Sequence, residues 1–424
     1  MIRLVVAVTI GRLAGFLSRL IGRGGSAIPG LVAEKLDPRL IDKLVASIPG
    51  GVVLVTGTNG KTTTTKMLVT ALERSGTPVL TNPSGSNLAR GVATVLISAA
   101  RRGRILSYAI AVFEVDEAAV SVLAPRLGPR LVVVTNLARD QLDRYGELET
   151  TAAHVGVAVA AAQRAVLNAD DPAVAALDAG RSSWFGAATE IRDTMPHDRV
   201  LYGTPDPGGP LVEVDALLEA AEPDGEGQRI SLAVRSGQFE ATLRVPGAYN
   251  GYNAAAAVLA AVELGVDPAA ATTSLEHMDP AFGRGQVIGF AGRRVKLLLV
   301  KNPSGFNQAL RLLADASPAS VLIAINDNLA DGRDVSWLWD VGFEEFQHAG
   351  HSVGASGSRA ADMALRLKYA GVHAWSDPDL AAALGKAVAA AGEGEVVYVV
   401  PTYTAMLSLL DLLLPGRPRS EVWT

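Results

Sequence analysis

The sequence predicts an α/β protein built on doubly wound, largely parallel sheets, and three observations predict it. Short runs of β-branched and apolar residues, such as Val52–Val55 and Leu131–Val134, have the pattern of strands buried on both faces. Helix-length segments alternate with these runs over short connections, as βαβ units require. Polar loops come after the runs, where open parallel sheets collect their ligand-binding groups. A chain of 424 residues is long enough for two or three domains. With 49% hydrophobic and 19% charged residues it can build sizeable cores and is unlike a disordered chain. A formal net charge of −5 gives no sign of nucleic-acid binding. The cysteine count is zero, which excludes disulfides, thiol nucleophiles and cysteine-based zinc sites, and fits a cytoplasmic protein.

Residues 1–48 read as an N-terminal helical segment. Leu4–Ile10 is apolar, but Arg12, Arg19 and Arg23 break up the residues after it, so no run approaches the ~20 residues that span a bilayer. Charges after the apolar part, and no small-residue cleavage site, argue against a signal peptide. Arg12 and Arg19 fall one heptad apart among Leu13, Phe16, Leu17 and Leu20, which suits an amphipathic helix. Packing on the body of the protein is the first reading of residues 1–23, and peripheral contact with a membrane surface is the second. Gly30–Pro49 reads as one further helix.

The stretch Val52–Met67, VVLVTGTNGKTTTTKM, organises the rest. A buried strand runs into Thr56–Gly60, where Gly57 and Gly60 can take backbone angles closed to other residues. A helix opens at Lys61. Strand, glycine loop and helix N-terminus form an anion cradle of converging N–H groups. Lys61 adds a cation for outer phosphates, and the Thr62 hydroxyl suits Mg²⁺. The plain structural alternative is a strand-to-helix turn with a solvated lysine. The usual P-loop has a glycine where this chain has Val55, so the loop is a shorter variant.

Thr77–Leu80 then reads as a strand, followed by a polar loop with Ser84, Gly85, Ser86 and Asn87, and Gly91–Arg101 as a helix. Tyr108–Val115 is a buried strand ending at Glu114, Asp116 and Glu117; Glu114 directly ends the apolar run and is the candidate Mg²⁺ or catalytic carboxylate. Capping of the next helix is the alternative for these acids. Leu131–Val134 and Ala165–Asn168 are further strands. Residues 181–245 are dense in Pro and Gly, and Ile230–Val234 and Ala241–Val245 look like hairpin strands, so a small β insert is expected there. The central domain is thus drawn over 49–289. Residues 290–424 read as a second, C-terminal α/β domain of the doubly wound, Rossmann-like kind. Its strands Val295–Val300, Val321–Ile325 and Val396–Val400 are each followed by a polar loop.

GTNGKTTT resembles the ATP loop of the Mur ligase and folylpolyglutamate synthetase superfamily. That resemblance implies ATP and Mg²⁺ as cofactors, with Thr58, Asn59, Gly60, Lys61, Thr62 and Thr63 on the phosphates, and Thr62 and Glu114 on the metal. PGAYNGYNAAAAVLAAVELG resembles the segment in which an asparagine, here Asn253, opens a helix beside the nucleotide base; helix capping is the alternative. DPAFGRGQ resembles the interdomain arginine loop, with Arg284 in the phosphate-contacting place. NLARDQLDRYGE (136–147), KNPSGFNQ (301–308), DNLADGRDVSWLWD (327–340), SRAADMALRLKYAG (358–371) and PTYTAMLSL (401–409) narrow the match. They look like the MurT family, the ligase-like subunits of the peptidoglycan glutamate amidotransferases. Two departures are visible. Gln141 stands where amino-acid-adding ligases carry a metal-binding histidine, and an amide oxygen can still serve a hard cation. Without cysteine, the four-cysteine zinc ribbon of some relatives cannot form.

The resemblance implies ATP-dependent amidation of the α-carboxylate of D-glutamate in lipid-linked muropeptide to D-isoglutamine, through an acyl phosphate. Phosphoryl transfer of this kind needs positioning and charge neutralisation. Arg284, Asn302 and the 327–340 loop would supply these from the side opposite Lys61 once the domains close. Ammonia would come from a GatD-type glutaminase partner, and the setting would be cytoplasmic, at the inner face of the membrane. A carboxylate from this chain would orient the partner's catalytic histidine; Asp334 is the first candidate and Asp340 the second. Trp337 and Trp339, read as lying in a polar setting, would mark where the partner docks. Three rivals predict differently. A Mur-type amino-acid ligase would hydrolyse ATP with an amino acid and no partner. A nucleotide-regulated scaffold would bind ATP without turnover, and a plain α/β protein would bind some other phosphate.

Overall fold

The computed structural model describes residues 2–20, 28–82, 87–105, 107–138, 148–192, 212–278, 284–346 and 352–416. Helix α1 (Ile2–Leu20) is followed by α2 (Ile28–Leu36) and α3 (Leu40–Val45). The single helix expected over 30–49 is therefore two. Pro38 cannot continue a helix and disfavours helical angles at Asp37. The Asp37 carboxylate then accepts from the Arg39 N–H at 3.2 Å and from Lys43 Nζ at 2.7 Å, which fixes the corner.

The first described sheet contains β1 (Val52–Thr56), β2 (Val79–Thr81), β3 (Ile110–Glu114), β4 (Leu131–Val134), β5 (Arg164–Asn168), β6 (Ser182–Ala187), β7 (Ala216–Asp224), β8 (Gly227–Val234) and β9 (Gly237–Leu243). Their order is β2-β3-β1-β4-β5-β6-β7-β8-β9. Pairing is parallel from β2 through β7 and antiparallel from β7 to β9. The hairpin strands expected in 181–245 form no sheet of their own. They extend the central sheet from β6, because β6 and β7 still expose a ladder edge that the meander can satisfy.

Alternate residues of each strand serve two cores. Val52, Leu54, Phe113, Val132 and Leu167 meet α1–α3, α5 (Ala89–Ala99), α6 (Glu117–Leu127) and α7 (Leu148–Ala161). Val53, Val55, Val112, Val133 and Val166 meet α4 (Lys61–Arg74) and the alanine-rich α8 (Ala248–Glu263). Small side chains let α8 lie close to the sheet and to α4. Short α9 (Pro268–Ser274) comes next.

A second described sheet has the order β10-β11-β15-β12-β13-β14 and begins at Arg284, just ahead of the boundary expected at 290. Its strands are β10 (Arg284–Phe290), β11 (Arg293–Leu298), β12 (Ser320–Ala324), β13 (Ser352–Ser356), β14 (Ala374–Ser376) and β15 (Val396–Pro401). Only β10 is antiparallel to its neighbour. Helices α10 (Pro303–Ala316) and α11 (Ala360–Tyr369) cover one face; α12 (Leu380–Ala390) and α13 (Tyr403–Leu413) cover the other. The two sheets meet beside the turn between β7 and β8. There Arg294 pairs with Glu226, and Lys296 Nζ donates to the Glu226 carbonyl at 3.4 Å. Burial lowers the Lys296 pKa from its usual value. No described helix is long and apolar enough to cross a membrane.

Candidate active site

The central sheet changes winding direction at β1, which lies between β3 and β4. Parallel sheets place ligands at the C-terminal ends of strands at such a point. The loop Gly57–Gly60 leaves β1 there. Gly57 has φ 125°, and a Cβ on it would stand 2.3 Å from Thr135 Oγ1; Gly60 has φ 85°, and its Cβ would stand 2.1 Å from Asn253 Oδ1. Both positions require glycine for backbone and for space.

The loop is clamped by the segment after β4. The Thr58 N–H donates to the Asn136 carbonyl, and Asn59 N–H donates to Asn136 Oδ1, both at 2.9 Å. Thr135 Oγ1 and Asn136 Nδ2 donate to the Asn59 carbonyl at 2.6 and 3.0 Å. Thr58 Oγ1 donates to the Ala138 carbonyl and accepts from the Ala138 N–H. Side chains of the loop's neighbours thus hold its backbone in one shape. Gly60 is the N-cap of α4 and offers no side chain to the first helical N–H groups, which leaves them for an anion.

Lys61 is folded inward rather than solvated. Its Nζ lies 3.0 Å from both carboxylate oxygens of Glu117 and also donates to the Gly57 carbonyl, and both side chains are buried. Glu117 occupies the first turn of α6, directly after β3. Among the acids of EVDE, Glu117 is thus the one in contact with the lysine. Glu114 ends β3 in register with Val55 and is buried; Asn82 bonds both its backbone N–H and its carbonyl at 2.9 Å. Asp116 caps α6 through the Ala118 N–H. Thr62 is partly exposed and Thr63 is buried at the start of α4. Among the described residues no cluster of three or more His, Cys, Asp or Glu forms a metal cage. One hydroxyl with one carboxylate still fits Mg²⁺, which takes its remaining ligands from phosphates and water.

Asn253 does not open its helix. Gly247 is the N-cap of α8, and Asn253 lies buried within it. Its Oδ1 accepts from Thr64 Oγ1 at 3.3 Å and its Nδ2 donates to Asn250 Oδ1 at 3.2 Å. It therefore ties α8 to α4 and backs Gly60.

From the second sheet, fully buried Asn302 reaches the same loop. Its Oδ1 caps α10 by accepting from the Gly305 N–H at 2.8 Å, and its Nδ2 donates to Asn59 Oδ1 at 3.1 Å. Arg284 begins β10 opposite Leu298 in the backbone ladder, next to a bulge. Ser84, Gly85, Ser86, Gln141 and the rest of the arginine loop before Arg284 lie outside the described residues.

The 327–340 loop is fixed by a polar network at the strand ends. Asp331, buried and thereby held above its usual pKa, accepts from Thr404 N–H at 2.7 Å. Asp327 accepts from Ser358 Oγ and pairs with Arg359. Asp334 spends both oxygens on Ser336, accepting from its N–H at 2.8 Å and its hydroxyl at 2.9 Å. Asp340 is exposed at the end of the 3₁₀ turn Ser336–Asp340. The two tryptophans differ. Trp337 is buried against Phe306 rather than polar in setting, whereas Trp339 is 52% exposed and meets Tyr369 edge-on at 5.5 Å. In a 3₁₀ turn, with three residues per turn, side chains two positions apart point about 120° from each other, so one can face the core and the other solvent, which the composition of the loop does not reveal. Sequence reasoning missed Thr135, Asn136 and the Glu117 contact. The polar TN directly after a buried strand is the signal that could have found the first two.

Known proteins match this arrangement. Residues 55–261 match the Mur ligase middle domain family, and residues 299–406 match the MurT ligase C-terminal family. A MurF ligase from Thermotoga maritima solved with ADP superposes with TM-score 0.66 at 16% identity, covering 92% of this chain and 85% of its own. The D-alanyl-D-alanyl-adding ligase from Acinetobacter baumannii gives TM-score 0.69 at 19% identity, over 91% and 80%. Fold and glycine loop together define a Mur-ligase-type protein. The MurT subunit of the glutamine-hydrolysing lipid II isoglutaminyl synthase from Streptococcus pneumoniae is 33% identical over 96% of both chains. The chain belongs to the MurT family.

Proposed function

We propose that this chain is the ligase subunit that amidates the D-glutamate α-carboxylate of lipid-linked muropeptide, using ATP and ammonia from a GatD-type glutaminase. The observation that carries the reading is the Asn302–Asn59 contact, which brings the MurT-type domain directly onto the phosphate loop. In this reading the γ-phosphoryl group of ATP passes to the carboxylate, giving ADP and an acyl phosphate. Ammonia attacks the acyl carbon, the C–O bond to phosphate breaks, and the amide remains. The Gly57–Gly60 backbone and the α4 N-terminus hold the phosphates, and Lys61 turns from Glu117 to the transferring group. Mg²⁺, held by Thr62 and Glu114, would neutralise phosphate charge. Asn253 sets the loop's position from behind, and Arg284 contributes from the β10 side.

For the partner, the geometry favours Asp340 over Asp334. Asp340 offers an open carboxylate beside exposed Trp339, whereas Asp334 is engaged by Ser336. A carboxylate there would fix the tautomer of the partner's histidine. The deciding experiment is mass spectrometry of lipid II incubated with this chain, the glutaminase, ATP and glutamine. Conversion of stem-peptide carboxylate to amide is expected. Incorporation of an added amino acid without the partner would favour a Mur-type adding ligase instead.

A further inference from the structure

We infer that α1, with the arginine turn at residues 101–104, is a docking face for an anionic phospholipid bilayer. The inner side of α1 packs Leu4, Ala7 and Val8 into the core. Its outer side carries Ile2, Val6, Ile10, Leu13, Phe16 and Leu17, each between 39% and 84% exposed. At 100° per residue these six fall in one stripe about 120° wide, as in helices that lie in the membrane interface. The helix has no acidic residue.

Charge identifies the occupant. Residues 1–33 and 75–113 contain eight arginines and no aspartate, glutamate or lysine, in a chain of net charge −5. Three of those arginines sit on one tight turn. Arg101 and Arg104 bond each other through their backbones at 2.7 and 3.0 Å, and all three side chains are exposed. Gly103 between them lies against Leu4 and Val5 of α1. Arg12 locks the helix to the same region by donating to the carbonyls of Ile97 and Ser98 at 3.0 and 2.8 Å. Stripe and turn are therefore one rigid surface. The acids of the adjoining α2–α3 segment do not offset it: Glu34 and Asp42 pair with Arg126, and Asp37 with Lys43. An apolar stripe rimmed by uncompensated arginine matches lipid tails below anionic headgroups, whereas a second copy of the same face would repel it. A lipid-linked substrate, in the reading above, would place the enzyme at such a surface; the docking itself does not need that substrate.

Co-sedimentation with vesicles free of muropeptide therefore tests docking apart from activity. Binding is expected to phosphatidylglycerol-containing vesicles and not to pure phosphatidylcholine, weakening in high salt. The double variant Leu13→Gln/Phe16→Gln should lose at least about tenfold in partition, and Arg101→Gln/Arg102→Gln/Arg104→Gln about tenfold to a hundredfold. These side chains are exposed, so unchanged thermal unfolding should confirm that the variants fold. Equal binding to both vesicle types, or wild-type binding by both variants, would overturn the inference. So would light scattering that shows a dimer dissolved by Leu13→Gln/Phe16→Gln in a protein that ignores vesicles.

Discussion

The Lys61–Glu117 pair states the problem of a phosphate loop at the scale of one residue. A buried ammonium needs a counter-charge, and the same ammonium must be free to meet phosphate. Lys61→Ala strands the buried Glu117 carboxylate, so it should fold with lowered stability, and below its melting point it should cost roughly 10³-fold or more in ATP-dependent turnover, read by steady-state ADP release. Glu117→Gln leaves Lys61 buried with carbonyl partners alone. Its melting point without nucleotide should fall, with a loss of unfolding free energy of up to the ~3–5 kcal/mol seen when one member of a buried pair is removed. Saturating ATP should recover more of that loss than it adds to wild type, because phosphate replaces the carboxylate; an equal ATP-induced shift in both would show that Lys61 stays with residue 117. Asp334 and Asp340 are separable by nitrogen source. Asp340→Asn should abolish glutamine-driven amidation and spare amidation with excess ammonium. If Asp334→Asn does this and Asp340→Asn does not, the order of the two is reversed.

At the scale of elements, α10 carries two functions through one side chain. Asn302 caps the helix with its oxygen and holds the Asn59 loop with its nitrogen. Asn302→Ser keeps a neutral cap acceptor at this fully buried position and loses the amide donor to Asn59, so it should melt near wild type yet bind ATP more weakly. Asn302→Ala loses both and should cost about 1 kcal/mol of stability besides. Parallel melts and nucleotide titrations of the two variants separate the roles; equal ATP affinity in Asn302→Ser and wild type would reduce Asn302 to a cap.

At the scale of the whole molecule, the C-terminal sheet carries opposed proton linkages. Asp327, Glu344 and Asp377 are held below the usual carboxylate range by hydrogen bonds from Ser358, Arg366 and Lys386 respectively. Their contribution to stability is complete above about pH 4 and lost as pH falls through the depressed values. Asp331 is raised by burial, so its contribution is present at low pH and lost as pH rises from the ordinary aspartate value through the raised one. The three lowered carboxylates are partly or largely exposed to solvent and screened, so urea midpoints should fall modestly on acidification below about pH 4, and Arg359→Gln should flatten that limb. Asp331→Asn should change the dependence only on the alkaline side of it. A single slope unaffected by either substitution would contradict both assignments.

Much of this protein is set by local sequence. A run such as Val52–Thr56 is a strand wherever it is buried on two faces, and TGTNGK can only turn sharply into a helix, so the α/β class, the glycine loop and Lys61 are legible without coordinates. Pro38 carried an equally local signal that divides α2 from α3. What tertiary structure decided is which groups meet. Lys61 finds Glu117, Gly60 finds Asn253 and Asn59 finds Asn302 across separations of up to 243 residues. Those meetings depend on β1 lying between β3 and β4, on alanine-rich α8 lying against α4, and on the second sheet standing beside the β7–β8 turn. Likewise the opposite fates of Trp337 and Trp339 arise from how one 3₁₀ turn rests on Phe306. Backbone preference acts within a few residues and is written in the chain; burial and partnership are properties of the packed whole.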